Sequence, residues 1–173
     1  FFHIDSKKKV FFRKEMEAGD FNIQSCSIAP YRCIVSNCND LLCSSTVLSH
    51  FLAIHQESDN VEFQEIQLNE KILMVASIHE SFLLLNQNVC LGVLGVRFNM
   101  DGYCNALLKD EYTRFSQHIP VLIMACRGNY GEMYSSSIYD SNNDYVCFWL
   151  VTPELKNSRK LNAIITIHDE EQI

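Results

Sequence analysis

With 173 residues, 47% of them hydrophobic and 20% charged, the chain has room for one medium domain, or one domain with a small appendage, and enough apolar side chain for a sizeable core. That balance excludes intrinsic disorder, and three Pro and six Gly exclude collagen-like or flexible-linker character. A formal charge of -7 argues against a domain whose affinity comes from neutralising phosphates, and no apolar run nears the roughly 20 residues that a membrane-spanning helix needs.

The chain opens on a basic arm, residues 1–25, in which Lys7, Lys8, Lys9, Arg13 and Lys14 crowd together. Charge runs are usually solvated surface, so the arm reads as an exposed edge or, through Lys9 to Lys14 (KVFFRK), as an added strand; contact with an acidic partner is the alternative. Lysines interrupt any hydrophobic stretch between Phe1 and Lys14, so this segment does not read as a secretory signal. A start at Phe1 rather than Met is expected of a piece of a longer protein.

Eight cysteines, at 26, 33, 38, 43, 90, 104, 126 and 147, make an even set, as a secreted disulfide scaffold would. Against that reading, Cys90, Cys126 and Cys147 each sit inside an apolar run, where a free cysteine behaves as a small buried hydrophobe. The expectation is a reducing intracellular setting, nucleus or cytoplasm, in which clustered Cys and His point to metal.

Residues 26–58 hold that cluster. Cys33-Ile-Val-Ser-Asn-Cys38 is followed, after eleven residues, by His50-Phe-Leu-Ala-Ile-His55. Two cysteines on a turn and two histidines on a short helix can converge two sulfurs and two imidazoles on one tetrahedral point, which is what Zn2+ prefers, so Cys33, Cys38, His50 and His55 are the expected ligands. The helix is predicted over Ser44 to Gln56, capped by Ser44 or Ser45, with Val47, Leu48, Phe51 and Leu52 as its apolar face. Cys43 reads as a core residue in the loop before it, with replacement of a ligand as the alternative. The segment 39–56 has no Lys or Arg, so neither base readout nor phosphate anchoring is available through this finger. Four protein ligands leave no open position for activating water, and the zinc is expected to be structural.

From Val61 onward, short β-rich runs alternate with turn residues. Strands are predicted near 61–68, 71–78, 82–86, 89–97, 121–127, 132–139, 145–151 and 161–168, with a helix over Lys109 to Gln117 covering an open end. Residues 61–173 are thus expected to form an antiparallel β-sandwich of about eight strands, and the fold class is mainly β.

Cys26-Ser-Ile-Ala-Pro30-Tyr31-Arg-Cys33, followed by Cys38, His50 and His55, resembles the second zinc finger of the seven-in-absentia ubiquitin ligases, which precedes a TRAF-like β-sandwich. The segment IQLNEKILMVAS (66–77) and the run 82–98 resemble the opening sandwich strands of that family. The chain departs from the pattern in several places. Four residues instead of the usual six separate the first two ligands, and Asn22 stands where the family's first finger would place a His, so that finger is expected to be missing or decayed and Cys26 to have no ligand role. No RING accompanies the likeness, and the resemblance is expected to stop before the family's final strands, which would open a sheet edge unless KVFFRK fills it. The resemblance implies homodimers and an extended peptide held against a strand edge, with Ile66, Leu68, Leu83 and Leu85 as the matching contact positions.

No Gly-rich phosphate loop, H-E-x-x-H or G-x-S-x-G occurs, and a Cys/His pair such as Cys104 and His118 is easy to find by chance with this composition, so the chain is not expected to be an enzyme. The expected function is an adaptor or scaffold module, with a structural zinc, that binds a protein or extended peptide and has no membrane role. Two alternatives stand beside it: a nucleic-acid-associated zinc protein that works through the basic arm, and a substrate-recruiting scaffold of a ubiquitin ligase.

Overall fold

The computed structural model describes residues 2–3, 8–13, 29–56, 61–67, 70–74, 83–97, 104–129, 144–153 and 164–169. In chain order the strands are β1 (Phe2–His3), β2 (Lys8–Arg13), β3 (Tyr31–Arg32), β4 (Leu41–Leu42), β5 (Glu62–Ile66), β6 (Lys71–Met74), β7 (Asn88–Arg97), β8 (His118–Asn129), β9 (Asp144–Val151) and β10 (Ile164–Asp169). They form a five-stranded sheet in the order β1-β9-β8-β7-β5, a three-stranded sheet in the order β10-β2-β6, and the small hairpin β3-β4. The fold is mainly β. Among the described residues no helix is long and apolar enough to cross a membrane.

The central strand β8 organises the larger sheet. Its sequence HIPVLIMACRGN is apolar at successive rather than alternate positions, which suits a strand covered on both faces. On one face, Ile119, Val121 and Ile123 join Leu94, Val96 and Val146 in a core that also takes in Ile72 and Met74 of β6, with Ile165 of β10 packed against it. On the other face, Leu122 and Met124 join Val93 and Val61 in a second core with Val47, Leu48, Phe51 and Leu52 of the finger and with Phe115. Removing a side chain such as Leu48 or Phe51 from water is worth about 1.5–3 kcal/mol, so the burial of this apolar face helps to hold the helical segment against the sheet.

Not every pairing is antiparallel. Between β5 and β7 in the sequence lies β6, which belongs to the smaller sheet, and β5 and β7 themselves pair in parallel, with Glu62 opposite Gly92 and Ile66 opposite Val96. Of the strand expected over 82–86, the described part makes only an isolated bridge between Leu85 and Arg127, because Asn86 turns the chain with φ 58°. The strand expected over 132–139 lies outside the described residues. The basic segment Lys8–Arg13 runs between β10 and β6, its backbone paired on both sides.

The helix expected over Lys109 to Gln117 is a 3-10 helix, Asp110–Phe115. Asn105, buried, donates from Nδ2 to the carbonyls of Phe115 and His118, and the Ala106 N–H donates to the Ser45 carbonyl at 2.7 Å, which ties this segment to the finger on the same face of the large sheet. Tyr112 completes the attachment through Gln56, at 3.3 Å.

Candidate metal centre

The hairpin β3-β4 supplies the turn that carries the two cysteines. The Cys33 N–H donates to the Asp40 carbonyl at 2.9 Å and the Cys38 N–H to the Val35 carbonyl at 3.2 Å, closing a knuckle in which Asn37 takes the left-handed conformation at φ 69°. Asparagine tolerates that region better than most residues, so the turn is encoded locally.

The helical segment that follows is not uniform. A 3-10 turn, Ser44–Thr46, leads into an α-helical turn, Val47–His50, and then a π-helical turn, Phe51–His55. The position expected for Ser44 or Ser45 as cap is held by Cys43, whose extended backbone precedes the first turn and whose N–H donates to Thr46 Oγ1 at 3.0 Å. Hydrogen bonds from Ser45 and then Thr46 lower the pKa of its thiol, and Cys43 stands outside the ligand cluster.

The π turn matters to the histidines. At 3.6 residues per turn, side chains five apart point roughly 140° away from each other. Widening the turn, seen in the Gln56 N–H bonding back to the Phe51 carbonyl, swings His55 round onto the face of His50.

The four predicted ligands converge. One donor atom from each of Cys33, Cys38, His50 and His55 lies within 4.8 Å of every other. Cys33 Sγ is 3.4 Å from His55 Nε2, Cys38 Sγ is 3.6 Å from His50 Nε2, and the two Nε2 atoms are 3.1 Å apart. A zinc ion about 2.3 Å from each sulfur and about 2.0 Å from each nitrogen has tetrahedral edges of about 3.5 Å between S and N and about 3.3 Å between the nitrogens. The donor set and its spacing therefore fit a tetrahedral ion, and the group can hold a metal.

Its electrostatics point the same way. Burial, reinforced by Cys38 against a backbone hydrogen bond at Val35, pushes the Cys33 thiol up to about 12, so a thiolate here calls for a cation beside it. Burial, with His55 adding to it and Asp40 opposing, lowers the pKa of His50 and favours the neutral imidazole that ligates metal. Asp40 Oδ2 stands 3.4 Å from His50 Nδ1, on the side of the ring away from the cluster. Nothing in the spacing of the sequence singles out Asp40; only the hairpin that returns the chain beside the helix makes its role visible.

The other expected positions divide. Ile66 and Leu83 are buried, 3% and 1% exposed, in the core between the two larger sheets. Leu85 is half-buried at its bridge to Arg127, and Leu68 lies outside the described residues. Of the cysteines read as buried hydrophobes, Cys90 is buried, whereas Cys126 and Cys147 are only partly so.

A family model described as "Domain of unknown function (DUF4729)" matches residues 32–172, a stretch that takes in all four ligand positions. No curated protein and no solved structure matches the chain.

Proposed function

The chain belongs to the family described as Domain of unknown function (DUF4729), and from its own residues we propose a zinc-clamped β-sheet module that recognises an extended stretch of another protein along a strand edge. The observation that carries the metal half of this reading is the convergence of two sulfurs and two imidazole nitrogens, all within 4.8 Å of one another, on a knuckle welded to the sheet. With every position of the tetrahedron filled from the protein, the ion is structural Zn2+: it joins the Cys33–Cys38 turn to the helix and so holds the helix's apolar face against β7 and β8.

The binding half rests on β5. It is the terminal strand of the larger sheet, and among the described residues no strand lies along its outer side. A strand edge of this kind offers a row of N–H and C=O groups to an incoming segment, which adds as another strand. Ile66 and Leu83, buried behind the edge, would hold it in place and leave the β5 backbone to make the contact. The exposed Glu62 on this strand favours a segment that brings Lys or Arg.

The C-x3-P-Y-x-C run before the knuckle and the ligand spacing support a relationship to the substrate-binding part of the seven-in-absentia family, with its TRAF-like sandwich and edge-bound peptides. The basic segment is paired within a sheet through Lys8–Arg13, so no observation favours the reading in which it reaches out to nucleic acid.

Native mass spectrometry of the freshly purified chain is expected to find about one zinc per chain; metal-free protein would overturn the clamp. A peptide-library selection on the zinc-loaded chain, followed by hydrogen exchange, is expected to protect the β5 amides in the bound state. Selected peptides that leave β5 unprotected would overturn the edge reading, and mass-measured dimers protected at β5 would make the bound segment a second copy of the chain.

A further inference from the structure

Cys126 on β8 and Cys147 on β9 stand directly opposite each other in the antiparallel ladder, between the pairs Ala125–Phe148 and Arg127–Val146. Directly opposed residues project from the same face of a sheet with Cα atoms about 4.5–5.5 Å apart. A disulfide accepts Cα separations of roughly 4.4–6.8 Å, so the register places these two cysteines within disulfide reach. Neither belongs to the metal cluster, and both are free and only partly buried, open to a small reagent in a way that the buried Cys90 is not.

We infer that Cys126 and Cys147 are a cross-strand dithiol, a site of reversible oxidation by low-molecular-weight disulfides of the glutathione type. Burial, with Cys147 adding to it, pushes the Cys126 thiol up, and Cys126 Sγ lies 3.5 Å from the Arg127 carbonyl as a donor, so Cys126 keeps its proton and attack begins at Cys147. The Cys147 thiolate attacks one sulfur of the reagent, breaks its S–S bond and expels one thiolate, leaving a mixed disulfide. Cys126 then gives up its proton, and its sulfur attacks the Cys147 sulfur, forming the Cys126–Cys147 bond and releasing the second half of the reagent as thiolate. Two electrons pass from the cysteine pair to the reagent, and the two thiol protons end on its two released thiols.

The sequence makes the product easy to read. Trypsin cuts after Arg114, Arg127 and Lys156, so Cys126 and Cys147 fall on separate peptides, 115–127 and 128–156, each with that single cysteine. The zinc-loaded chain would be incubated with glutathione disulfide, its remaining thiols blocked with N-ethylmaleimide, and the chain digested without reduction. The expected main product is the linked pair of these two peptides, lost again on incubation with excess reduced glutathione. In Cys126→Ser the reaction is expected to stop at a stable glutathione adduct on Cys147. A wild-type digest with glutathione retained on both cysteines and no linked pair, or with reagent only on the exposed Cys104, would overturn the inference. The wild-type digest decides the matter alone if the variant does not fold.

Discussion

Asp40 and His50 face each other across the knuckle, a carboxylate oxygen 3.4 Å from the imidazole Nδ1, while the Nε2 of the same ring looks into the cysteine–histidine cluster. A carboxylate on the far nitrogen of a ligating histidine fixes the ring's orientation and tautomer and makes the ligating nitrogen more basic; losing such a partner costs about 10–100-fold in metal affinity. Asp40→Asn is therefore expected to bind one zinc still, but to surrender it at a correspondingly lower chelator concentration. Competition with a colorimetric chelator measures this directly, and an unchanged affinity would remove Asp40 from the site.

His55→Ala tests the clamp itself. The substitution removes one of four ligands and empties a buried position, 3% exposed, between Phe51 and the rest of the cluster. Because metal binding to such a knuckle is coupled to folding, the loss appears as stability. A cost of even 2 kcal/mol lowers the melting temperature of a chain of this size by roughly 4–8 °C. The wild type in excess chelator is expected to melt near the variant, and chelator is expected to have little further effect on the variant. A variant that melts with the zinc-loaded wild type would leave the metal without a structural role.

The convergence of Cys33, Cys38, His50 and His55 was legible because chemistry and spacing coincide: they are residue types that can hold a metal, in an order that a turn and a helix can bring together. How they meet was not, since the five-residue step from His50 to His55 contradicts a regular helix and is met only by the π turn at Phe51–His55. The β-rich character of the chain from Val61 onward was legible in its short runs, yet the signal in β8 was underread. Its unbroken apolar stretch HIPVLIMACRGN marks a strand covered on both faces, whereas a strand of a simple two-layer body would alternate. The parallel pairing of β5 with β7 had no local signal at all, because it joins strands that β6, a member of the other sheet, separates in the sequence. Asp144, charged at the head of β9, gave no sign that it would be buried; its partner Arg127 is seventeen positions away and meets it only through the β8-β9 register.

That pair supports a prediction on stability. Arg127 Nε donates to Asp144 Oδ2 at 2.7 Å, its Nη2 donates to the same oxygen, and Asn129 Nδ2 donates to Oδ1, with all three residues buried. Breaking a buried pair from one side typically costs about 3–5 kcal/mol, because the charge left behind loses its compensation. Asp144→Ala is expected to lower the melting temperature by roughly 6–20 °C. Arg127→Met with Asp144→Leu removes both charges and is expected to recover most of that loss. A double variant no more stable than Asp144→Ala would show that the network contributes through its geometry rather than through charge compensation.

Glu65 reaches across β7 to His118, its Oε1 2.9 Å from His118 Nε2. The imidazole is buried, and among the described residues its Nδ1, also buried, has no hydrogen-bond partner, so the contact with Glu65 through Nε2 carries the ring's polar anchoring there. Phe63 and Phe115 pack around the same place, with ring centres 4.7 Å apart, and Phe115 meets the His118 ring edge-on at 5.1 Å. Gly95 leaves the room for this: a Cβ there would stand 2.7 Å from the Phe63 ring. Removing a partner from a buried polar group costs about 1–3 kcal/mol, so Glu65→Ala is expected to destabilise the chain by that amount in urea titration. Glu65→Gln keeps an oxygen and a nitrogen within reach of Nε2 and is expected to cost less. Since Glu65 lies on the terminal strand, the Ala variant is also expected to speed amide exchange along β5 more than along β8; equal acceleration in both strands would mean that the contact serves global stability alone and does not order the edge.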